Sequence, residues 1–192
     1  MSQRVYTVPM LLTVVRLFSP LIMPFFILHL WPYPGCFVHV ILVGLFLLLG
    51  LTDVLDGYLA RRFGEVTKLG QILDPIADKF LVVSSLLALF AVHAIGFFWV
   101  TILILREVFV MAVRYVACEH GTTISVSWLS KIKTWLQLVL ILFLLSCWGM
   151  STTWLSWIVY DVLVLATVGC SLYAAYEYYI RCVDVLFRTY DF

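Results

Sequence analysis

The chain has 192 residues, of which 64% are hydrophobic and 12% are charged, and its formal net charge is +1. Soluble domains are about half apolar and about a quarter charged, so this composition excludes an ordinary soluble enzyme. The near-zero net charge also argues against a nucleic-acid partner, because binding to phosphates requires a basic surface.

Three long stretches, residues 17–52, 80–105 and 134–160, contain no Asp, Glu, Lys or Arg. A helix that spans a bilayer needs about 20 apolar residues. Together with Pro, Gly and the remaining charges, these stretches predict six membrane helices, at residues 8–30, 37–60, 70–92, 97–117, 128–148 and 154–176. We therefore expect an all-α integral membrane protein, with a single domain over residues 1–192 and no cleaved signal peptide.

The distribution of Lys and Arg predicts the orientation of these helices. The turns after helices 1, 3 and 5 contain no Lys or Arg, and nearly all basic residues lie at the opposite helix ends. Cytoplasmic segments are enriched in Lys and Arg, so both termini are expected in the cytoplasm. Trp and Phe cluster near the uncharged turns, as in an aromatic belt at the outer interface.

Four aspartates lie where an ionisable side chain is costly, roughly 2.5–3.5 kcal/mol each inside a membrane segment. Asp53 and Asp56 end the second predicted helix, and Asp74 and Asp78 begin the third. At 3.6 residues per turn, each pair shares one face of its helix. The connection between the two helices is short, so we expect an antiparallel hairpin with the carboxylates opposite one another.

Four neighbouring carboxylates stay ionised only with cations beside them, because like charges raise one another's pKa. Oxygen ligands without His or Cys select Mg²⁺ first, with Mn²⁺ or Ca²⁺ as competitors, and two divalent ions would balance four charges. Salt bridges to nearby Arg and Lys are the structural alternative. Gly57, Ala60 and Gly70 lie on the same faces and favour close approach of a phosphorylated ligand, although small residues also pack membrane helices together.

The hairpin contains the string Asp53-x-x-Asp56-Gly57-x-x-Ala60-Arg61, followed at fixed spacing by Gly70, Asp74 and Asp78. This string resembles the signature of the CDP-alcohol phosphotransferases. The resemblance implies six membrane helices, a homodimer, and a two-metal site at the cytoplasmic end that binds a cytidine diphosphate lipid.

Residue roles follow from the same resemblance. It implies four metal ligands, Asp53, Asp56, Asp74 and Asp78. Asp78 would also be the general base that takes the proton of the attacking alcohol. The nucleotide and diphosphate site would comprise Pro9, Thr13, Asp56, Gly57, Ala60, Arg61 and Gly70.

Three further stretches, residues 8–16, 106–114 and 128–137, are similar to the phosphatidylglycerophosphate synthase branch of the family. Met10 stands where this branch usually has Asn, and Ser130 where Gly is common. The likeness implies transfer of the phosphatidyl group of CDP-diacylglycerol to glycerol 3-phosphate, with release of CMP. It also implies an active site on the cytoplasmic side of a bacterial inner membrane.

An anionic acceptor would need basic side chains, and we expect its phosphate to be held by Arg106, Arg114, Lys131, Lys133 and Thr134. Arg106 and Arg114 face one sector of helix 4, and Arg is suited to fork around phosphate oxygens. The alternatives are headgroup contacts for the two lysines, and an internal pair of Arg106 with Glu107 or Asp161.

Three other functions remain open on the sequence alone. An inositol-phosphate, serine or cardiolipin-forming enzyme of the same family would share the signature. A membrane prenyltransferase also holds a lipid diphosphate through Asp and Mg²⁺, but its acidic motifs lie on helices that are separated in sequence. A divalent-cation transporter would place its carboxylates near the midplane between two related halves.

Overall fold

The computed structural model describes the backbone of residues 7–33, 35–63, 68–119, 128–147 and 154–190. It describes side chains for residue 18 and for residues 20–33, 35–51, 79–113, 115, 128–147 and 154–183. Within these ranges the regular structure is α-helical throughout, which confirms the all-α part of the prediction. The helices are α1 (Thr7–Leu30), α2 (Cys36–Phe63), α3 (Lys68–Ala91), α4 (Phe97–Glu119), α5 (Trp128–Cys147) and α6 (Trp154–Tyr190).

The last helix is longer than the sequence analysis predicted. The first five helices begin and end within three residues of their predicted bounds, but α6 continues to Tyr190 instead of ending at residue 176. The prediction ended the helix where the apolar run ends. No Gly or Pro follows Tyr176 in the chain, and an ion pair between Glu177 and Arg181, one turn apart, supports the additional helix.

The chain divides into two compact units, and the first comprises Met1–Ala94 and Leu144–Ser151. In this unit α1 packs against both α2 and α3. Its fully buried side chains include Ile27 of α1, Leu42 of α2 and Leu86 of α3. The ring of His39 is buried as well, and its Nδ1 donates a hydrogen bond of 2.9 Å to the carbonyl oxygen of Leu145.

A Schellman turn ends α3. The N–H of Ala94 donates to the carbonyl of Leu89 at 2.8 Å, and the N–H of His93 donates to the carbonyl of Phe90 at 2.9 Å. This pattern requires a left-handed backbone at the first of the two donor residues, and that residue, His93, has a φ of 59°. Glycine is the usual residue at such a position because a Cβ is disfavoured there.

The second unit comprises Ile95–Phe143 and Thr152–Phe192. In it α4 packs against α6 around a buried cluster of Val110, Ala175 and Tyr178. The opposite face of α6 exposes large apolar side chains, among them Trp154, Val162 and Leu172. Soluble proteins rarely expose such a continuous apolar surface, so this face is suited to lipid.

Two helices of the described chain are long and apolar enough to cross a membrane, namely α5 and residues Trp154–Val183 of α6. Shorter apolar stretches occupy Pro20–Leu30, Cys36–Leu51 and Lys79–Ala91. The six membrane crossings, the cytoplasmic termini and the single domain therefore stay predictions.

Candidate active site

The acidic signature lies on helical backbone. Asp53, Asp56, Gly57, Ala60 and Arg61 are inside α2, and Gly70, Asp74 and Asp78 are inside α3. The backbone at both aspartate pairs is therefore helical, as their spacing predicts, and the two members of each pair are about one turn apart. The side chains of these residues, and those of Pro9 and Thr13, lie outside the described set, so their proposed roles stay predictions. Among the side chains that are described, no group of three His, Cys, Asp or Glu is placed to hold a metal ion.

A buried cluster of charged side chains lies within the second unit. Arg106 and Glu107 are neighbours on α4, and Lys133 belongs to α5. Each of the three residues is 5–6% exposed. Nη1 of Arg106 donates a hydrogen bond of 3.1 Å to Oε1 of Glu107, and Nζ of Lys133 forms an ion pair with the same oxygen.

The cluster also includes α6. Nε of Arg106 donates a hydrogen bond of 2.9 Å to the carbonyl oxygen of Ser171. The guanidinium is therefore held from two sides, by the carboxylate of Glu107 on its own helix and by the backbone of α6. A fixed guanidinium presents its remaining N–H groups in a defined direction, as recognition of a phosphate or carboxylate requires.

Among the described side chains, the two cations Arg106 and Lys133 contact one carboxylate, that of Glu107. Buried charges are tolerated where opposite charges and good hydrogen bonds surround them. Basic side chains held in fixed positions are also the groups with which proteins bind phosphates and carboxylates. The cluster therefore has groups suited to binding a small anion.

Two neutral polar residues, Gln137 and Ser171, adjoin the cluster and are 3% and 1% exposed. Gln137 lies one turn beyond Lys133 on the same face of α5, and Ser171 is the residue whose carbonyl binds Arg106. Neither Nε2 of Gln137 nor Oγ of Ser171 has a hydrogen-bond partner among the described residues. Sequence reasoning missed both. The spacing from Lys133 could have indicated Gln137, whereas nothing in the sequence around Ser171 marks it.

The other residues predicted for the acceptor are placed differently. Lys131 is exposed, with its Nζ 6.0 Å from the centre of the Trp128 ring. Thr134 is exposed as well, and its hydroxyl donates to the carbonyl of Ser130 at 2.9 Å. The Arg114 side chain lies outside the described residues. The structure therefore brings together Arg106 and Lys133, and it contains the pair with Glu107 that was the structural alternative for Arg106.

The family model described as CDP-alcohol phosphatidyltransferase matches residues 6–168. The chain belongs to this family. The matched range contains the whole acidic signature and the three charged residues of the buried cluster. Membership confirms the resemblance on which the site predictions were based, and it excludes the prenyltransferase and the cation transporter.

Similar bacterial proteins share one name, CDP-diacylglycerol–glycerol-3-phosphate 3-phosphatidyltransferase. The protein of this name from Escherichia coli (strain K12) is 35% identical over 147 residues, which cover 73% of this chain and 77% of the relative. The Haemophilus influenzae protein is 36% identical over 140 residues, covering 70% of this chain and 72% of the relative. The Wigglesworthia glossinidia brevipalpis protein is 37% identical over 140 residues, which cover 69% of this chain and 75% of the relative.

Proposed function

We propose that this family member transfers the phosphatidyl group of CDP-diacylglycerol to sn-glycerol 3-phosphate, giving phosphatidylglycerophosphate and CMP. The observation that carries the proposal is the buried pair of cations, Arg106 and Lys133, which both contact the carboxylate of Glu107. Buried basic side chains held in fixed positions suit an acceptor that brings its own phosphate. The name of the bacterial relatives specifies such an acceptor.

In the reaction, the primary hydroxyl oxygen of the acceptor forms a bond to the phosphorus that carries diacylglycerol. The bond from this phosphorus to the bridging oxygen of CMP breaks, and CMP leaves with the electron pair. We assign Asp78 as the general base that accepts the hydroxyl proton. No covalent intermediate with the protein is required.

The proposed metal ligands are Asp53, Asp56, Asp74 and Asp78. Their donor chemistry fits two Mg²⁺ ions, or Mn²⁺, because the set has four carboxylates, one helical turn apart in pairs, and neither His nor Cys. Bound metal would supply positive charge for the diphosphate and the departing CMP. Gly57, Ala60 and Gly70 have little or no side chain, so they allow a nucleotide to approach the helix backbone. Arg61, Asp56, Pro9 and Thr13 complete the proposed nucleotide site.

We assign the phosphate of the acceptor to Arg106 and Lys133. Arg114 is kept in this proposed set because its spacing on α4 places it in the same helical sector as Arg106. Lys131 and Thr134 are exposed, and we expect them to contribute least.

The membrane arrangement is part of the same proposal. Six crossings would place both termini and the acidic hairpin in the cytoplasm, in the inner membrane of a bacterium. The charge asymmetry of the chain and the apolar character of α5 and α6 support it. A homodimer follows from the family resemblance.

An acceptor panel tests the proposal. The purified protein is incubated with CDP-diacylglycerol, Mg²⁺ and, in parallel, glycerol 3-phosphate, glycerol, inositol 1-phosphate, inositol, serine and phosphatidylglycerol, and the lipid product is identified. We expect the fastest turnover with glycerol 3-phosphate. Inositol 1-phosphate satisfies the same charge argument, so faster turnover with it would assign the chain to another branch. Preference for an uncharged acceptor would contradict the role of the buried cations.

A further inference from the structure

The two neutral residues beside the cation cluster have a feature that the transfer reaction leaves unexplained. Gln137 and Ser171 bury their polar atoms, yet these atoms have no partner within the described part of the chain. A buried polar group without a hydrogen bond costs about 1–3 kcal/mol, and native proteins contain few of them. Two such groups next to a predicted ligand site indicate that the ligand itself supplies their partners.

The chemistry of these two groups differs from that of the cations. The amide nitrogen of Gln137 offers two N–H donors, and the hydroxyl of Ser171 can both donate and accept. Neither carries charge, so they suit a neutral oxygen, while Arg106 and Lys133 suit the phosphate. Apart from its phosphate group, glycerol 3-phosphate has one oxygen that does not react, its secondary hydroxyl, because the primary hydroxyl attacks the phosphorus.

Position supports this division of roles. The secondary hydroxyl is on the carbon next to the phosphorylated carbon, so it must lie close to whatever binds the phosphate. Ser171 contacts Arg106 directly through its carbonyl, and Gln137 is one turn from Lys133. We propose that Gln137 and Ser171 bind the secondary hydroxyl of the acceptor and thereby select glycerol 3-phosphate among phosphorylated alcohols. This inference rests on the proposed function.

The test compares two acceptors that differ only in this hydroxyl, glycerol 3-phosphate and 3-hydroxypropyl phosphate. Both carry the phosphate and the reacting primary hydroxyl. A site built to bind a hydroxyl rejects the analogue that lacks it, so we expect the wild-type protein to prefer glycerol 3-phosphate by about tenfold to hundredfold in kcat/KM. In Gln137→Leu and in Ser171→Ala this preference should fall by about tenfold, with the KM for CDP-diacylglycerol unchanged.

Thr167→Val is the matched control. Thr167 lies one turn before Ser171 on α6 and is 0% exposed, but its hydroxyl donates to the carbonyl of Leu163 at 2.6 Å. Its hydrogen bond is complete within the helix, so its loss should leave the preference between the two acceptors at the wild-type value.

Thermal unfolding separates ligand binding from a structural role. If the two groups await a ligand, removing them removes an unpaired buried group, so the Tm without acceptor should stay equal or rise. The increase in Tm on adding glycerol 3-phosphate should become smaller. A lower Tm together with equal loss of turnover for both acceptors would show that the residues serve only the fold.

The outcomes also separate this inference from the proposed function. A wild-type protein that turns over both acceptors equally well, or variants that keep the full preference, would overturn the inference and leave the transfer reaction intact. A wild-type protein that does not use glycerol 3-phosphate would overturn the proposed function itself.

Discussion

The acidic signature of α2 and α3 and the cation cluster of α4, α5 and α6 handle charge in opposite ways. The signature has four aspartates within 26 residues of chain, counting from Asp53 to Asp78, and the same stretch contains three basic residues, Arg61, Arg62 and Lys68. The cluster includes its own counter-ion, because Glu107 contacts both Arg106 and Lys133. We therefore expect the first region to depend on external cations to stay ionised, whereas in the second region Glu107 already contacts both cations.

This difference predicts how each region responds to mutation. Loss of one carboxylate from a metal site removes a ligand that nothing else replaces. Loss of one cation from the cluster leaves the other cation paired with Glu107. Substitutions in the acidic region should therefore abolish the reaction, and substitutions in the basic region should mainly weaken acceptor binding.

The largest expected effect is that of Asp56→Asn. A neutral amide cannot provide the charge that holds a divalent ion, and metal supplies several kcal/mol of charge stabilisation in such reactions, so activity should fall about a thousandfold or more. Turnover of CDP-diacylglycerol is the measurement, and Asp53→Asn and Asp74→Asn should behave alike. Asp161→Asn, on the exposed surface of α6, is the control. EDTA should inhibit reversibly, and full turnover in chelator would disprove the metal proposal.

Asp78→Asn should separate binding from chemistry within the acidic region. If Asp78 accepts the acceptor proton, the variant should turn over about a hundredfold more slowly or worse, yet bind CDP-diacylglycerol nearly as well as the wild type. Equilibrium binding of the lipid substrate and single-turnover rates measure the two effects. Equal loss of both would reassign Asp78 to metal ligation alone.

In the basic region, Lys133→Met should raise the KM for glycerol 3-phosphate by about tenfold to hundredfold, as expected when a charged hydrogen bond is lost. The KM for CDP-diacylglycerol should change little. Lys131→Met removes the same charge from an exposed position on the same helix, and we expect a much smaller change. If Lys133→Met and Lys131→Met change the KM values for both substrates to the same extent, the effect comes from charge at the membrane surface. That result would contradict the role of the buried cluster.

The smallest effect is expected outside both regions. His93→Gly relieves a left-handed backbone in the turn after α3, which costs a side-chain-bearing residue about 1 kcal/mol. The variant should unfold at a slightly higher temperature with unchanged kcat and KM. A change in either kinetic constant would mean that this turn influences one of the two charged regions.

The two regions also differ in how far the sequence predicts them. The acidic signature consists of short, fixed spacings on adjacent helices, and the helical backbone at those positions follows from hydropathy. Arg106 and Lys133 were found because they are charged residues in apolar helices. Their contacts with Glu107 and with the carbonyl of Ser171 form only because α4, α5 and α6 pack together. Arg106 and Ser171 are 65 positions apart in sequence, so no local pattern indicates that they meet.

The end of α6 was mispredicted for a related reason. Hydropathy indicates where a helix leaves an apolar environment. It does not indicate where the helix itself ends, and α6 continues beyond its apolar segment to Tyr190. The ion pair between Glu177 and Arg181 shows that polar residues can continue a helix that apolar residues began. Helix-ending residues were the better signal, and the chain has no Gly or Pro beyond Tyr176.

The length of α6 has a further consequence for any bilayer that contains it. With 37 residues, the helix is about 55 Å long, whereas the hydrocarbon core of a bilayer is about 30 Å thick. A rod of this length, tilted by about 40°, is still longer along the membrane normal than the hydrocarbon is thick. If α6 crosses a bilayer, part of the helix therefore lies outside the hydrocarbon, and the end that contains Glu177 and Arg181 is the more polar one.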